Sequence, residues 1–167
     1  MLPISLIIVG ILSRLIVHVP NYTPVLSVAL FSGVYLNKRY AIAAPLMLMI
    51  VSDLILGWHD TIAYTWGSMV LIALIGVWGK NYKNIAFVVV ASVISSILFF
   101  VVTNFGSWLV LYPRTLRGFV ECYAAAIPFF KSTLVSTLLY SCAMFGVYEL
   151  VASRVRNTRL AGIFLSA

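Results

Sequence analysis

Apolar runs set the terms for this chain. They cover roughly residues 3–17, 25–36, 41–56, 65–78, 85–103 and 129–152, and short polar loops separate most of them. Hydrophobic residues make up 63% of the 167-residue sequence and charged residues 9%, against about 45–50% and about 25% in soluble domains. A soluble domain of this size has too little interior to hide that much apolar surface. A disordered chain needs the opposite composition. The bilayer is the solvent in which such a sequence is stable, and the expected fold class is an all-α membrane protein.

A spanning helix takes about 20 residues, with a range near 17–25. The fifth and sixth runs reach that length. The first four are shorter, and span only by recruiting flanking residues or by sitting where the bilayer is thin. The reading adopted is a compact bundle of about six transmembrane helices, forming a single transmembrane domain over 1–153 with a basic tail over 154–167. The stretch 18–24 also fits a broken or re-entrant hairpin. No basic residues precede the first run, Arg14 interrupts it and no A-x-A site follows, so it reads as a retained helix rather than a cleaved signal.

The formal net charge is +7, and the basic residues sit in loops on alternate sides. One side carries Lys38, Arg39, Lys80, Lys83, Arg154, Arg156 and Arg159, the other Arg114 and Arg117. The positive-inside rule makes the first side cytoplasmic, with both termini inside. No basic patch stands apart from these loops, so nucleic acid is not an expected partner. Cys122 and Cys142 have neither CxxC spacing nor a histidine nearby, and read as packing residues without metal or redox work. GxxxxGK[ST], HExxH and GxSxG are absent, and four acidic residues in all leave little for acid–base catalysis. No enzyme, cofactor or metal is expected.

The loops opposite the basic side carry the more unusual residues. Pro20-Asn21-Tyr22-Thr23-Pro24 brackets a polar triplet with two prolines, which stop a helix. Gly57-Trp58-His59-Asp60 is a turn with aromatic and titratable groups. Asn104-Phe105-Gly106-Ser107-Trp108 is expected to leave the fifth span, and a long mixed connection to follow through 122, with Pro128 breaking the helix beyond it. Asp53 lies in an otherwise apolar run; a carboxylate there faces the bundle interior with a partner, for which Lys131 is one candidate and the headgroup region the alternative. Trp58, Tyr64, Trp66, Trp108, Tyr112 and Tyr123 fall on or near the same side, as an interfacial belt also requires. Arg114 and Arg117 run against the positive-inside rule, and an arginine there either forks onto a carboxylate or phosphate of a ligand or pairs with Glu121 or lipid phosphate. Small residues four apart, Ala29 and Gly33, Ser92 and Ser96, Ser132 and Ser136, allow close helix approach within the chain or against a partner.

Several of these segments, together with Ala29-Leu30-Phe31-Ser32-Gly33, Ser52-Asp53-Leu54-Ile55-Leu56-Gly57-Trp58-His59, Thr103-Asn104-Phe105-Gly106 and Tyr112-Pro113-Arg114-Thr115-Leu116, carry a resemblance over roughly residues 14–147. The chain resembles a family of small bacterial membrane proteins grouped with the substrate-binding S components of energy-coupling-factor (ECF) vitamin transporters. The resemblance implies a multi-pass, six-helix bundle in the bacterial cytoplasmic membrane that captures a vitamin or precursor from outside. A separate transmembrane coupling subunit and ATPases would drive release. Gly10 and Ser13 stand in the first run in place of the small residues four apart that many S components use to meet that subunit.

The function expected is therefore capture of a small anionic or aromatic micronutrient, with membrane lipids around the bundle. Asn21, Thr23, Asp53, Trp58, His59, Asn104, Tyr112, Arg114 and Tyr123 are the candidate contacts, with Trp108 and Tyr112 placed to stack on a flat ring beside Arg114. The competing expectation is a small structural or accessory subunit of a larger membrane complex with no ligand of its own. A closed bundle with an outer polar cavity favours the first, and a flat small-residue face turned to other chains favours the second.

Overall fold

The structure is a computed structural model that describes residues 2–16, 21–158 and 161. The readings placed on His18, Pro20, Arg159 and most of the basic tail lie outside those residues. Among them the chain is wholly helical: α1 (Leu2–Ile16), α2 (Val25–Tyr35), α3 (Lys38–Leu56), α4 (Ile62–Gly79), α5 (Ile85–Leu111) and α6 (Leu116–Val155). Three of these, α4, α5 and α6, are long and apolar enough to cross a membrane, which marks a membrane protein.

The centre of the fold is α2. Every residue from Val25 to Val34 is buried, as expected of a helix apolar all round. It packs against each of the other five helices. Its approach to α4 is closest at Gly33, where a β-carbon would sit 2.8 Å from the Gly76 Cα. The pair Ala29 and Gly33 thus serves contact inside the bundle. At one end of α2, the rings of Phe31 and Phe145 meet edge-on at 5.2 Å and Tyr35 donates to Glu149 Oε1 at 2.6 Å. Lys83 Nζ lies 4.8 Å above the Tyr35 ring. This end gathers the loops before α3 and α5 and the last turns of α6, which are the basic segments of the sequence.

Two expectations are corrected. The connection expected over 104–122 is mostly helix: α5 runs on to Leu111 and α6 starts at Leu116. Polar side chains stay helical there by bonding the preceding turn, with Asn104 donating to the Phe100 carbonyl at 2.7 Å and Ser107 to that of Thr103 at 3.0 Å. What remains is the turn 112–115, closed when Thr115 caps α6 by accepting from the Gly118 N–H at 3.1 Å. Pro128 likewise sits inside α6 and does not break it. In apolar surroundings the helix is the way a backbone satisfies itself, and proline is tolerated in it where neighbours meet the carbonyl left over.

The structure shows such a neighbour for the other internal proline, Pro45 of α3. Proline has no N–H for the carbonyl four residues back, which here is Ala41. Ser32 of α2, fully buried, shares its one hydroxyl proton between that carbonyl and the Ala29 carbonyl of its own helix, each at 3.0 Å. Ser32→Ala is therefore expected to cost about 1–2 kcal/mol, as for an unsatisfied buried acceptor. In a Pro45→Ala background, where residue 45 regains its N–H, the same change is expected to cost only a few tenths. Unfolding in mixed micelles measures both, and equal costs in the two backgrounds would sink the link.

Candidate functional site

A cavity of about 470 Å³ opens at the end of the bundle opposite the basic loops. Its volume falls in the range of small-molecule sites, about 300–1,000 Å³. The strand of chain leading into α2 supplies Asn21 and Thr23, and the end of α3 with its following turn supplies Asp53, Gly57, Trp58 and His59. Thr65 and Met69 come from α4, Phe99 from α5 and Thr133 from α6. A second lobe of about 210 Å³ shares Asn21, Thr65, Phe99 and Thr133 and reaches Thr103, Asn104 and Ser107 of α5.

Local backbone explains how the two loops reach the mouth. Asn21 has φ 57°, a left-handed conformation that asparagine tolerates better than most residues, and it turns the chain before Pro24 opens α2. Gly57 has φ 105° as the cap of α3. A side chain there would be strained, and the turn brings Trp58 and His59 across the opening. His59 Nδ1 lies 3.1 Å from Thr61 Oγ1, so the imidazole is oriented by the same turn.

Asp53 is the buried acid of the site, 3% exposed. Its Oδ2 accepts the indole N–H of Trp66 at 2.9 Å. Trp66 in turn lies 6.3 Å from the Trp58 ring. The indole that reads as a belt residue in the sequence is thus a partner of the buried carboxylate, whereas Lys131 is exposed on α6. Asn104 donates one amide N–H to the Phe100 carbonyl and lines the second lobe.

Three candidate residues fall elsewhere. Arg114 lines a separate shallow depression with Trp108, Thr115, Leu116 and Phe119, and its Nε donates to the Leu109 carbonyl at 3.3 Å. Tyr112 is the extended residue that ends α5. Tyr123 donates its hydroxyl to the Val101 carbonyl at 2.8 Å and packs on Phe119 at 4.5 Å, so it braces the α5–α6 pair. Trp108, expected to stack on a ligand, is held between Phe105 and Phe119 and donates to the Pro113 carbonyl. Arg117 pairs with Glu121 at 2.8 Å. The cavity also takes residues that the sequence reading passed over: Thr65, Met69, Phe99 and Thr133. Their signal was faint, since Thr65 and Met69 share a face of α4 only as one pair four apart.

The site thus combines a buried, hydrogen-bonded carboxylate, the Trp58 ring, threonines from three segments and apolar walls. That arrangement suits binding of a small molecule with a flat part and hydrogen-bonding groups. No curated protein and no solved structure matches the chain. A family model matches residues 1–159, and the chain belongs to that family, DUF6580, described as a family of unknown function.

Proposed function

We propose that this protein captures a small, vitamin-like solute in the two-lobed cavity, from the outer face of a bacterial cytoplasmic membrane, as the substrate-binding subunit of an uptake system. The observation that carries the reading is the cavity itself, with polar groups from five segments lining two adjoining lobes open to one end of the bundle. All six helices cross or line the membrane region, and both termini are cytoplasmic. The cavity end carries Arg114 and Arg117 and no lysine or arginine among 21–24 and 57–61, whereas the opposite end gathers Lys38, Arg39, Lys80, Lys83, Arg154 and Arg156, an imbalance that the positive-inside rule associates with topology. Energy for release comes from separate coupling and ATPase subunits, in keeping with the resemblance to ECF S components. The small-residue pairs favour this reading over a ligand-free accessory subunit, because Gly33, Ser92, Ser96 and Ser136 are buried within the chain and leave no flat face of that kind at those positions.

Topology is tested by single cysteines in a Cys142→Ser background, which removes the exposed native thiol. An impermeant reagent applied outside is expected to label His59→Cys and Thr115→Cys and to miss Lys38→Cys, Tyr82→Cys and Asn157→Cys. Labelling of the second group from outside would reverse the orientation.

Capture is tested by mass spectrometry of small molecules extracted from protein purified in mild detergent. Wild type is expected to retain a compound that Trp58→Ala loses by roughly tenfold, the scale of a lost aromatic contact of about 1.4 kcal/mol. Arg114→Gln, outside the cavity, is expected to retain it fully. The same retention in Trp58→Ala as in wild type, or loss in Arg114→Gln alone, would remove the cavity from consideration.

A further inference from the structure

A second concave surface lies away from the cavity, between α1 and α3. Tyr40, Ala43, Ala44 and Met47 recur at helical spacing along one face of α3, and Ile4 and Ile7 of α1 stand opposite. The groove holds about 520 Å³, and none of the residues lining it is charged. From Tyr40 to Met47 the α3 face extends about 10 Å, two turns. An uncharged face of that length, floored by Ala43 and Ala44, matches a run of methylenes.

One end of the groove is polar in a specific way. Lys38 and Arg39, the first two residues of α3, are exposed immediately before Tyr40. The ion pair found among the described residues is Arg117–Glu121, so neither basic side chain is neutralised by a carboxylate there. Tyr40 is 63% exposed and lines the groove, an amphipathic residue of the kind that covers apolar surface while its polar tip stays at the membrane surface. Basic residues at that level attract anionic lipid, and the arginine fork matches phosphate oxygens.

We propose that the groove between α1 and α3 is a binding site for an anionic phospholipid. One acyl chain lies along Tyr40, Ala44 and Met47, and the phosphate rests against Lys38 and Arg39. The lipid fills the gap beside α1 and fastens that helix to α3, which is a role independent of whatever occupies the cavity.

Native mass spectrometry of the detergent-solubilised chain, titrated in parallel with phosphatidylglycerol and phosphatidylcholine of the same acyl composition, tests this. Wild type is expected to retain phosphatidylglycerol on the order of tenfold better, the scale of two basic residues near a phosphate. The double variant Lys38→Gln, Arg39→Gln changes only exposed side chains and is expected to lose the preference while keeping its helical circular dichroism. Ala44→Leu, which narrows the groove, is expected to lose adducts of both lipids. Equal retention of the two lipids by wild type overturns the proposal, and so does an unchanged preference in the double variant. A dimer mass in place of lipid adducts, abolished by Ala44→Leu, would assign the groove to a second copy of the chain and overturn it as well.

Discussion

A helix buried on every side has to meet its polar obligations with its immediate neighbours, and α2 is in that position throughout. Ser27 donates to the Thr137 carbonyl at 2.9 Å and accepts from Ser141 at 3.0 Å, which ties α2 to α6. Ser32 ties it to α3 through the carbonyl that Pro45 leaves over. Gly33, with Gly76 opposite it, removes the β-carbons that would hold α4 away. Where water is absent these are the contacts that set register, because a hydroxyl facing hydrocarbon costs more than one facing a carbonyl. The other helices take their places around this post, and the cavity forms where α2 begins and α3 ends.

The length difference between helices shapes that cavity. With 11 residues, α2 is about 17 Å long, and the 27 residues of α5 make about 40 Å. The long α5–α6 hairpin forms a wall that runs on past the start of the short central helix, and the loops at Asn21 and Trp58 border the space left there. The site is thus a by-product of stacking short elements against long ones. Its polar residues are those that loops and helix ends supply, while α5 and α6 contribute mid-helix hydroxyls such as Thr133.

Hydropathy made the helices legible because burial in lipid and burial in protein select the same residues, so all six apolar runs mark helices. It failed at their ends. Asn104 and Ser107 look like loop residues in a list of amino acids, and only their bonds to the preceding turn show that they extend α5. That extension carries the turn at 112–115 about 12 Å beyond Thr103, which is why Arg114 and Tyr112 do not share the space that Asp53, Trp58 and His59 do. Asn21, Thr23 and Asp53 were legible because polar groups at the end of an apolar run stand out. Thr65, Phe99 and Thr133 were not, since what makes them cavity residues is the rotation of α4, α5 and α6 about their own axes, and periodicity in a uniformly apolar helix does not encode it.

The 40 residues of α6 make a rod of about 60 Å, roughly twice the thickness of a hydrocarbon core. A rod that long carries its charged ends, Arg117 and Glu121 at one and Glu149 and Arg154 at the other, out past a mostly apolar middle. Thr133 at the cavity wall and Glu149 at the Tyr35 contact ride on that same rod, four turns apart. Any tilt of that rod moves both contacts at once, so the wall of the cavity is mechanically joined to the opposite end of the bundle.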